Sequence, residues 1–103
     1  MLRPYRIGIL EGDGIGPEIV PATRTVVDAA VEAAGGPPVE WVPLPIGTSA
    51  IETHGSPLPD STLAALEGLE AWILGPHDSA SYPEAFRGEL TPGGRIRKHF
   101  DLF

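Results

Sequence analysis

Residues 5–20 read YRIGILEGDGIGPEIV and contain the change of pattern that decides the fold. An apolar run gives way to a turn with three glycines in five residues, and apolar residues then recur at helical spacing. The glycines permit positive φ angles and a close approach of another group, and Pro17 suits a first helical turn because it lacks an N–H. The stretch therefore predicts a strand, a tight turn and a helix.

The glycine-rich turn does not match the usual dinucleotide-binding motif. In the pattern G-x-G-x-x-G counted from Gly12, Pro17 stands where the last glycine is required. Glu18 adds a carboxylate at the positive end of the helix dipole, which disfavours a phosphate there. The residues alone leave two interpretations open: a purely structural turn, and a loop that a ligand approaches.

The composition sets limits on the class of protein. With 103 residues, 42% of them hydrophobic, the chain has enough apolar side chains for the core of one small domain. It has no cysteine, which excludes disulfides and thiolate metal sites and is compatible with a reducing cytoplasm. No apolar run is long enough for a membrane span, and no signal-peptide pattern is present. We expect a soluble, cytoplasmic protein with no membrane association.

The charge pattern argues against nucleic acid as a partner and allows a small anion. A formal net charge of -7 makes binding to nucleic acid unfavourable, because the phosphate backbone would be repelled. Four of the seven basic residues nevertheless lie in one twelve-residue window, namely Arg87, Arg95, Arg97 and Lys98. Such a cluster is either a solvated helix face or a place where a small anion binds, and composition does not decide between them.

Strand and helix patterns alternate along the chain. Strands are predicted at Arg6–Leu10, Val39–Leu44 and Ala71–Leu74, and helices at Pro17–Ala34, around Ser49–Thr53, from Asp60 onward and in the closing segment RIRKHFDLF. The residues between 77 and 94 have the composition of a loop. This alternation predicts an α/β fold with a largely parallel sheet and flanking helices.

Two helical faces carry further expectations. In the first helix, one apolar face is predicted to pack on the sheet; it comprises Ile19, Ala22, Val26, Val27 and Ala30. In the closing helix, Phe100 and Phe103 are expected to be exposed, and the lack of a capping residue after them suggests an incomplete chain.

Three motifs together resemble the isocitrate and isopropylmalate dehydrogenase family. They are GDGIGPE (residues 12–18), LPDSTLAALEGLEAWILG (residues 58–75) and IRKHFDLF (residues 96–103). They occur in the family's order and at similar spacing, and they span essentially the whole chain. Members of this family are much longer, so the resemblance implies that residues 1–103 are the truncated N-terminal part of an isopropylmalate dehydrogenase-like domain.

The resemblance also implies an activity. Enzymes of this family use NAD and Mg²⁺ or Mn²⁺ to oxidise the hydroxyl of a malate-type acid to a ketone, which then loses carbon dioxide. The metal ligands and the catalytic lysine and tyrosine are expected beyond residue 103, so this chain has no predicted catalytic residue and is not expected to turn over substrate alone. The full-length protein is expected to be a homodimer.

Four residues match family positions near the ligands. Arg97 matches the first of the arginines that bind a substrate carboxylate, and its alternative role is an ion pair with Asp101. Ile15 matches a turn residue beside the nicotinamide, and Gly75 begins the loop that faces the cofactor. Thr91 falls where members often carry a hydroxyl near the nicotinamide and substrate; its alternative role is to cap the last helix.

Departures from the family leave the substrate open. The loop from His77 to Gly88 lacks a glycine-glycine-proline and a tryptophan typical of isopropylmalate enzymes, and Gly93 stands where those enzymes carry a leucine against the isopropyl group. We expect 3-isopropylmalate, with malate, tartrate or isocitrate as alternatives. An alternative of another class is a small, non-catalytic α/β domain that binds an anion through Arg95–Lys98.

Overall fold

The structure, a computed structural model, describes residues 4–88 and 90–102. Three strands alternate with helices along the chain. The strands are β1 (Arg6–Leu10), β2 (Glu40–Pro43) and β3 (Ala71–Leu74), and the helices are α1 (Gly16–Ala33), α2 (Thr48–His54), α3 (Asp60–Glu67), α4 (Glu84–Arg87) and α5 (Pro92–His99). The segment between 77 and 94, predicted as a loop, holds α4 and, before it, a 3₁₀ turn at Ser79–Ser81. Helix α5 also begins inside that segment, three residues earlier than the predicted closing helix.

The three strands form one parallel sheet in the order β2-β1-β3. Gly8 in the central strand lies opposite Val42 on one side and Trp72 on the other. The predicted parallel sheet is confirmed, and the predicted bounds of β1 and β3 are those observed. Strand β2 is one residue shorter at each end than predicted.

The core lies on one face of the sheet. Because side chains alternate between the two faces of a strand, Leu10 shares this face with Trp72. The buried cluster is drawn from β1, α3, α5 and the segments that precede α2 and α3: Leu10, Ile46, Leu58, Leu66 and Ile96. Helices α3 and α5 therefore supply the apolar cover of this face.

The aromatic at the end of α5 belongs to this core. Phe100 is partly buried and lies with its ring centroid 4.9 Å from that of Trp72. The expectation that Phe100 would be exposed is wrong, because β3 presents a large aromatic surface directly beneath the end of α5. Phe103, the other residue in that expectation, lies outside the described residues.

Helix α1 ends at Ala33, one residue before the predicted Ala34, and the glycine pair follows it. Gly35 has a φ of 74°, its N–H donates to Glu32, and the N–H of Gly36 donates to Val31. These two bonds satisfy carbonyl groups that the last helical turn would otherwise leave unpaired. The helix begins one residue earlier than predicted, with Pro17 inside its first turn.

Helix α1 lies on the other side of the sheet, and most of the face predicted to pack on the sheet is exposed. Of its 18 residues only Gly16 and Val20 are buried, whereas Ile19 is 43% and Val26 68% exposed. Val27 of the predicted face is partly buried, but the prediction is wrong for Ile19, Ala22, Val26 and Ala30, which are exposed. The helix carries apolar residues on two stripes, and spacing alone does not show which one meets the sheet.

An aromatic side chain on β2 fastens α1 to the sheet. The Trp41 indole N–H donates to the Asp28 carboxylate over 2.8 Å, and the Arg24 guanidinium lies 5.6 Å from the centre of the Trp41 ring. Both contacts use polar groups at the helix surface, so they hold α1 without burying its second apolar stripe.

The exposed stripe of α1, formed by Ile19, Ala22 and Val26, is expected to make this chain self-associate as its concentration rises. In sedimentation velocity, Val26→Lys is expected to raise the monomer fraction, because it places a charge within the stripe. Thr25→Lys is the matched control, since Thr25 is exposed on the same helix outside the stripe. A wild-type monomer that melts cooperatively well above room temperature at all concentrations would contradict this expectation.

Candidate functional site

The candidate site lies at the carboxyl ends of β1 and β3. We call residues 11–16 the glycine turn and residues 75–82 the β3 loop. Strands β1 and β3 are parallel neighbours, so these two segments emerge side by side at one edge of the sheet. In open α/β sheets, ligands bind outside the carboxyl ends of the strands, at the point where the strand order reverses. In this sheet that point lies at the central strand β1, because β2 and β3 lie on opposite sides of it.

The glycine turn and the β3 loop pack backbone against backbone. The N–H of Asp13 donates to the carbonyl of Pro76 over 2.8 Å. The N–H of Gly75 donates to the carbonyl of Leu10 over 2.8 Å. Gly12 has a φ of 75°, and a Cβ there would overlap the Pro76 carbonyl oxygen. The requirement for glycine at position 12 is thus structural.

The tip of the glycine turn is open. Gly14 has a φ of 58°, and a Cβ added there would have no other atom within 4 Å. Ile15, which precedes α1, is 60% exposed. The two interpretations of this turn therefore apply to different parts of it: the Gly12 side is packed, whereas the tip leaves room for another molecule to approach.

Asp13 is the most connected polar side chain of the site. It is 7% exposed, and its carboxylate accepts hydrogen bonds from the N–H of Thr48 (2.8 Å), the N–H of Asp78 (3.0 Å) and the hydroxyl of Tyr82 (2.5 Å). A buried carboxylate needs such donors, since an unpaired charge is costly away from water. Asp13 thereby links the glycine turn with α2 and the β3 loop.

These contacts keep Asp13 ionised and Tyr82 protonated. Burial alone would raise the pKa of Asp13, but the hydrogen bonds from Tyr82, Thr48 and Asp78 outweigh it and lower the pKa below the ordinary value of 3.8. Burial and the neighbouring carboxylate of Asp13 raise the pKa of Tyr82. At neutral pH the pair therefore consists of a carboxylate acceptor and a phenol donor.

His77 in the β3 loop is a buried group without partners. Both of its ring nitrogens are shielded from solvent, and neither has a hydrogen-bond partner within the described part of the chain. Burial lowers the pKa of His77 below 6.5, and the charge of Asp13 acts in the opposite direction. The imidazole is thus neutral at pH 7 and stands beside Gly93, whose added Cβ would lie 3.5 Å from its Nε2.

The neutral His77 is expected to make the chain less stable as the pH falls below 6.5, its ordinary pKa. The unfolded chain takes up this proton at a higher pH than the folded one, so the stability is present above 6.5 and is lost below it. His77→Leu should remove this part of the slope of unfolding free energy against pH, which is at most about 1.4 kcal/mol per pH unit for one proton.

Urea unfolding between pH 8 and pH 5 measures that slope. Equal slopes for His77→Leu and the wild type would contradict the account of His77. The slope, and not the stability at one pH, distinguishes loss of the titrating group from altered packing. A change of side-chain volume shifts the free energy of unfolding by a similar amount at every pH.

The structure places two of the four predicted site residues, Ile15 and Gly75, at this edge. Ile15 lies at the tip of the glycine turn and Gly75 at the start of the β3 loop, where a Cβ would overlap the Glu11 carbonyl oxygen. Thr91 caps α5: its hydroxyl oxygen accepts from the N–H of Gly94 over 3.1 Å. The capping role considered for Thr91 is observed, and a ligand contact remains a prediction.

Arg97 lies on the exposed side of α5. Within residues 4–88 and 90–102, it forms no ion pair with Asp101, so the alternative role predicted for it is not observed. The predicted basic cluster is divided: Arg95 and Lys98 line a cavity of about 620 Å³ on the other side of the helix. Arg87 is separate from both, because its Nε donates to the carbonyl of Tyr82 over 2.8 Å.

A second cavity, of about 430 Å³, opens between the glycine turn, α1 and β2. Its polar lining includes Glu11, Arg24 and Ser49, and none of the four predicted site residues belongs to its lining. Among the described residues there is no group of three His, Asp or Glu side chains that could hold a metal ion. Nor does that part of the chain contain a helix long and apolar enough to cross a membrane.

The sequence reasoning missed Asp13, Tyr82 and His77. The one signal available was Asp13 itself, an acidic residue held between two glycines in a turn that packs tightly. Its partners are 35, 65 and 69 positions away along the chain, so no local spacing indicates them.

Known proteins match this chain along almost its whole length. The family model described as "Isocitrate/isopropylmalate dehydrogenase" matches residues 6–103. The 3-isopropylmalate dehydrogenases of Vibrio cholerae and Yersinia pestis are each 39% identical to this chain, over 98% and 100% of its length. That of Photobacterium profundum is 40% identical over 100% of the chain.

A solved structure agrees with these relatives. The crystal structure of isocitrate dehydrogenase from Methylococcus capsulatus matches 78% of this chain with a TM-score of 0.61 and 36% sequence identity. The chain covers 21% of that protein, and 28–29% of the three dehydrogenases above. It therefore spans less than a third of the length of the proteins that it matches.

Proposed function

This chain belongs to the isocitrate/isopropylmalate dehydrogenase family, and from that premise we propose that it is the N-terminal part of a decarboxylating dehydrogenase. The proposed reaction oxidises the hydroxyl of a malate-type 2-hydroxy acid with NAD and releases carbon dioxide. The leading substrate is 3-isopropylmalate, and malate, tartrate and isocitrate are alternatives. The observation that carries the proposal is the identity of about 39% to 3-isopropylmalate dehydrogenases along the whole chain.

The geometry of the glycine turn and the β3 loop fits a nicotinamide cofactor at the edge of the sheet. The tip of the turn leaves open space at Gly14, and the apolar side chain of Ile15 is exposed beside it. In the proposed complex Ile15 contacts the nicotinamide and Gly75 lets the β3 loop approach the cofactor closely. Thr91, while it caps α5, contributes a hydroxyl near the nicotinamide and the substrate.

The proposed role of Arg97 is to bind a carboxylate of the substrate. Its guanidinium is exposed and has no carboxylate partner within the described residues, so its charge is available. A guanidinium binds a carboxylate through two parallel hydrogen bonds, which orients the acid as well as attracting it.

The divalent metal is proposed to bind outside this chain. The described residues do not fit a Mg²⁺ or Mn²⁺ site, since they contain no group of three possible ligands. When bound, such an ion would polarise the oxygen at which the acid is oxidised. In the proposal, the metal ligands and the catalytic side chains lie in the part of the family's length that this chain does not span, and the complete enzyme is a cytoplasmic homodimer.

A second candidate function is the binding of an anion by the surface of α5. The cavity formed by Arg95, Lys98 and His99 together with Leu63 and Leu90 is the observation that favours it. The Glu67 carboxylate, which lies 2.8 Å from His99 Nε2, weakens this candidate because it places a negative charge at the same surface. We therefore prefer the dehydrogenase.

A chimera tests the proposed function. Residues 6–103 replace the matching N-terminal part of the 3-isopropylmalate dehydrogenase of Vibrio cholerae, and formation of NADH is followed with Mg²⁺ and each of the four acids. The chimera is expected to oxidise 3-isopropylmalate, whereas the chain alone forms no NADH. A folded chimera that binds NAD but oxidises none of the acids would overturn the proposal.

A further inference from the structure

The buried carboxylate of Asp13 joins three segments that are far apart in the sequence. Its own backbone belongs to the glycine turn. One oxygen accepts from the N–H of Thr48 at the start of α2, and the other accepts from Asp78 and Tyr82 in the β3 loop. The side chain thus lies where the glycine turn, α2 and the β3 loop meet.

The surroundings leave this carboxylate little freedom. Gly47, which precedes α2, has a φ of 76°, and a Cβ there would lie 2.5 Å from Asp13 Oδ1. The β3 loop is braced on its other side as well, because the hydroxyl of Ser81 donates to the Asp78 carboxylate over 2.6 Å and Arg87 donates to the carbonyl of Tyr82. A rotation of the Asp13 side chain would therefore break contacts to two segments at once.

We infer that Asp13 is a positioning residue that holds the glycine turn and the β3 loop in one fixed relation for cofactor binding. The inference rests on the proposed function, since Ile15 and Gly75 on these two segments are the proposed contacts to NAD. Asp13 is itself almost entirely buried, so its proposed role is exerted through the two segments that it joins. Its effect is to present the two segments as one preorganised surface, which lowers the cost of ordering them when the cofactor binds.

The chemistry of the contacts requires a carboxylate. All three partners are donors, and an ionised carboxylate is the side chain that offers only acceptors. In Asp13→Asn, one end of the side chain becomes an NH₂ group that faces a donor, so at least one segment loses its bond while the volume is kept. Tyr82→Phe removes the hydroxyl alone and leaves in place the hydrogen bonds from the backbone amides of Thr48 and Asp78.

Amide hydrogen exchange on this chain tests the linkage directly. In Asp13→Asn, at least one of the amides of Thr48 and Asp78 is expected to exchange about tenfold faster, whereas the amide of Leu66 in α3 keeps its wild-type rate. Asp28→Asn is the matched control, because it alters an exposed carboxylate bonded to Trp41 instead. Unchanged rates at Thr48 and Asp78, or an equal increase at all amides, would overturn the linkage.

Titration of NAD tests the role in binding. In the chimera described above, Asp13→Asn is expected to weaken NAD binding about tenfold and to raise the KM for NAD more than the KM for the acid. A purely structural defect would lower the amount of active enzyme, and therefore kcat, while leaving the affinity of the folded fraction unchanged. Tyr82→Phe, which keeps two of the three bonds, should have a smaller effect.

The two proposals fail in different ways. A chimera that oxidises no acid, but binds NAD more weakly when Asp13 is changed to Asn, overturns the proposed reaction and supports the positioning role. Equal NAD affinity with Asp13 and with Asn at this position overturns the positioning role whatever the turnover. Absence of NAD binding in both proteins overturns it as well.

Discussion

Gly12→Ala is expected to unfold this chain, or to lower its free energy of unfolding by about 2–5 kcal/mol. Two costs add at this position. The φ of 75° disfavours any residue with a Cβ, and that Cβ would overlap the carbonyl oxygen of Pro76. The overlap is with backbone, so no rotation of a side chain relieves it. The glycine turn and the β3 loop would have to separate, which also breaks the hydrogen bond from the N–H of Asp13 to the carbonyl of Pro76.

Gly14→Ala is the matched control for this substitution. Gly14 lies in the same turn and also has a positive φ, of 58°, but an added Cβ would meet no atom within 4 Å. The control therefore isolates the backbone cost, which is about 1–2 kcal/mol. Urea unfolding followed by circular dichroism compares the two variants. If they were equally stable, the packing of the glycine turn against the β3 loop would be wrong as described.

The strands and helices of the fold could be predicted from the sequence, but only part of their packing could. The strands and the parallel sheet were predictable because each element carries its own periodicity and its own stop signals, such as Gly35 and Gly36 after α1. The buried face of α1 was not, because a helix with two apolar stripes is compatible with either orientation. Phe100 shows the same limit, since its burial depends on Trp72, which lies 28 positions earlier in the sequence.

Some residues of the candidate site could likewise be identified from the sequence, and others only from the structure. Ile15, Gly75, Thr91 and Arg97 were identified through motifs, and motifs record which residue types recur and not what they touch. Asp13 acts through hydrogen bonds to residues distant in the chain, and His77 is notable because bonds are absent among the described residues. Both properties arise from tertiary structure, so neither a period nor a short spacing predicts them.

The expected result for Arg97→Ala, in the chimera with the dehydrogenase of Vibrio cholerae, is a loss of one to two powers of ten in kcat/KM for the hydroxy acid. Loss of a hydrogen bond to a charged group costs about 1.5–3 kcal/mol, which corresponds to that range. Arg97→Lys keeps the charge but loses the planar pair of donors, so it should also lower kcat/KM, by less than alanine does. Affinity for NAD should change little.

Arg95→Ala is the control that the geometry of α5 provides. Arg95 is two residues away on the same helix, but it lines the cavity with Lys98 and His99, to which Arg97 does not contribute. A general loss of positive charge from α5 would lower kcat/KM equally in Arg95→Ala and Arg97→Ala. A specific contact between Arg97 and the substrate carboxylate lowers it in Arg97→Ala alone. Near-wild-type kcat/KM in both Arg97 variants would assign Arg97 to the solvated face of the helix, and the carboxylate would then have to be bound elsewhere.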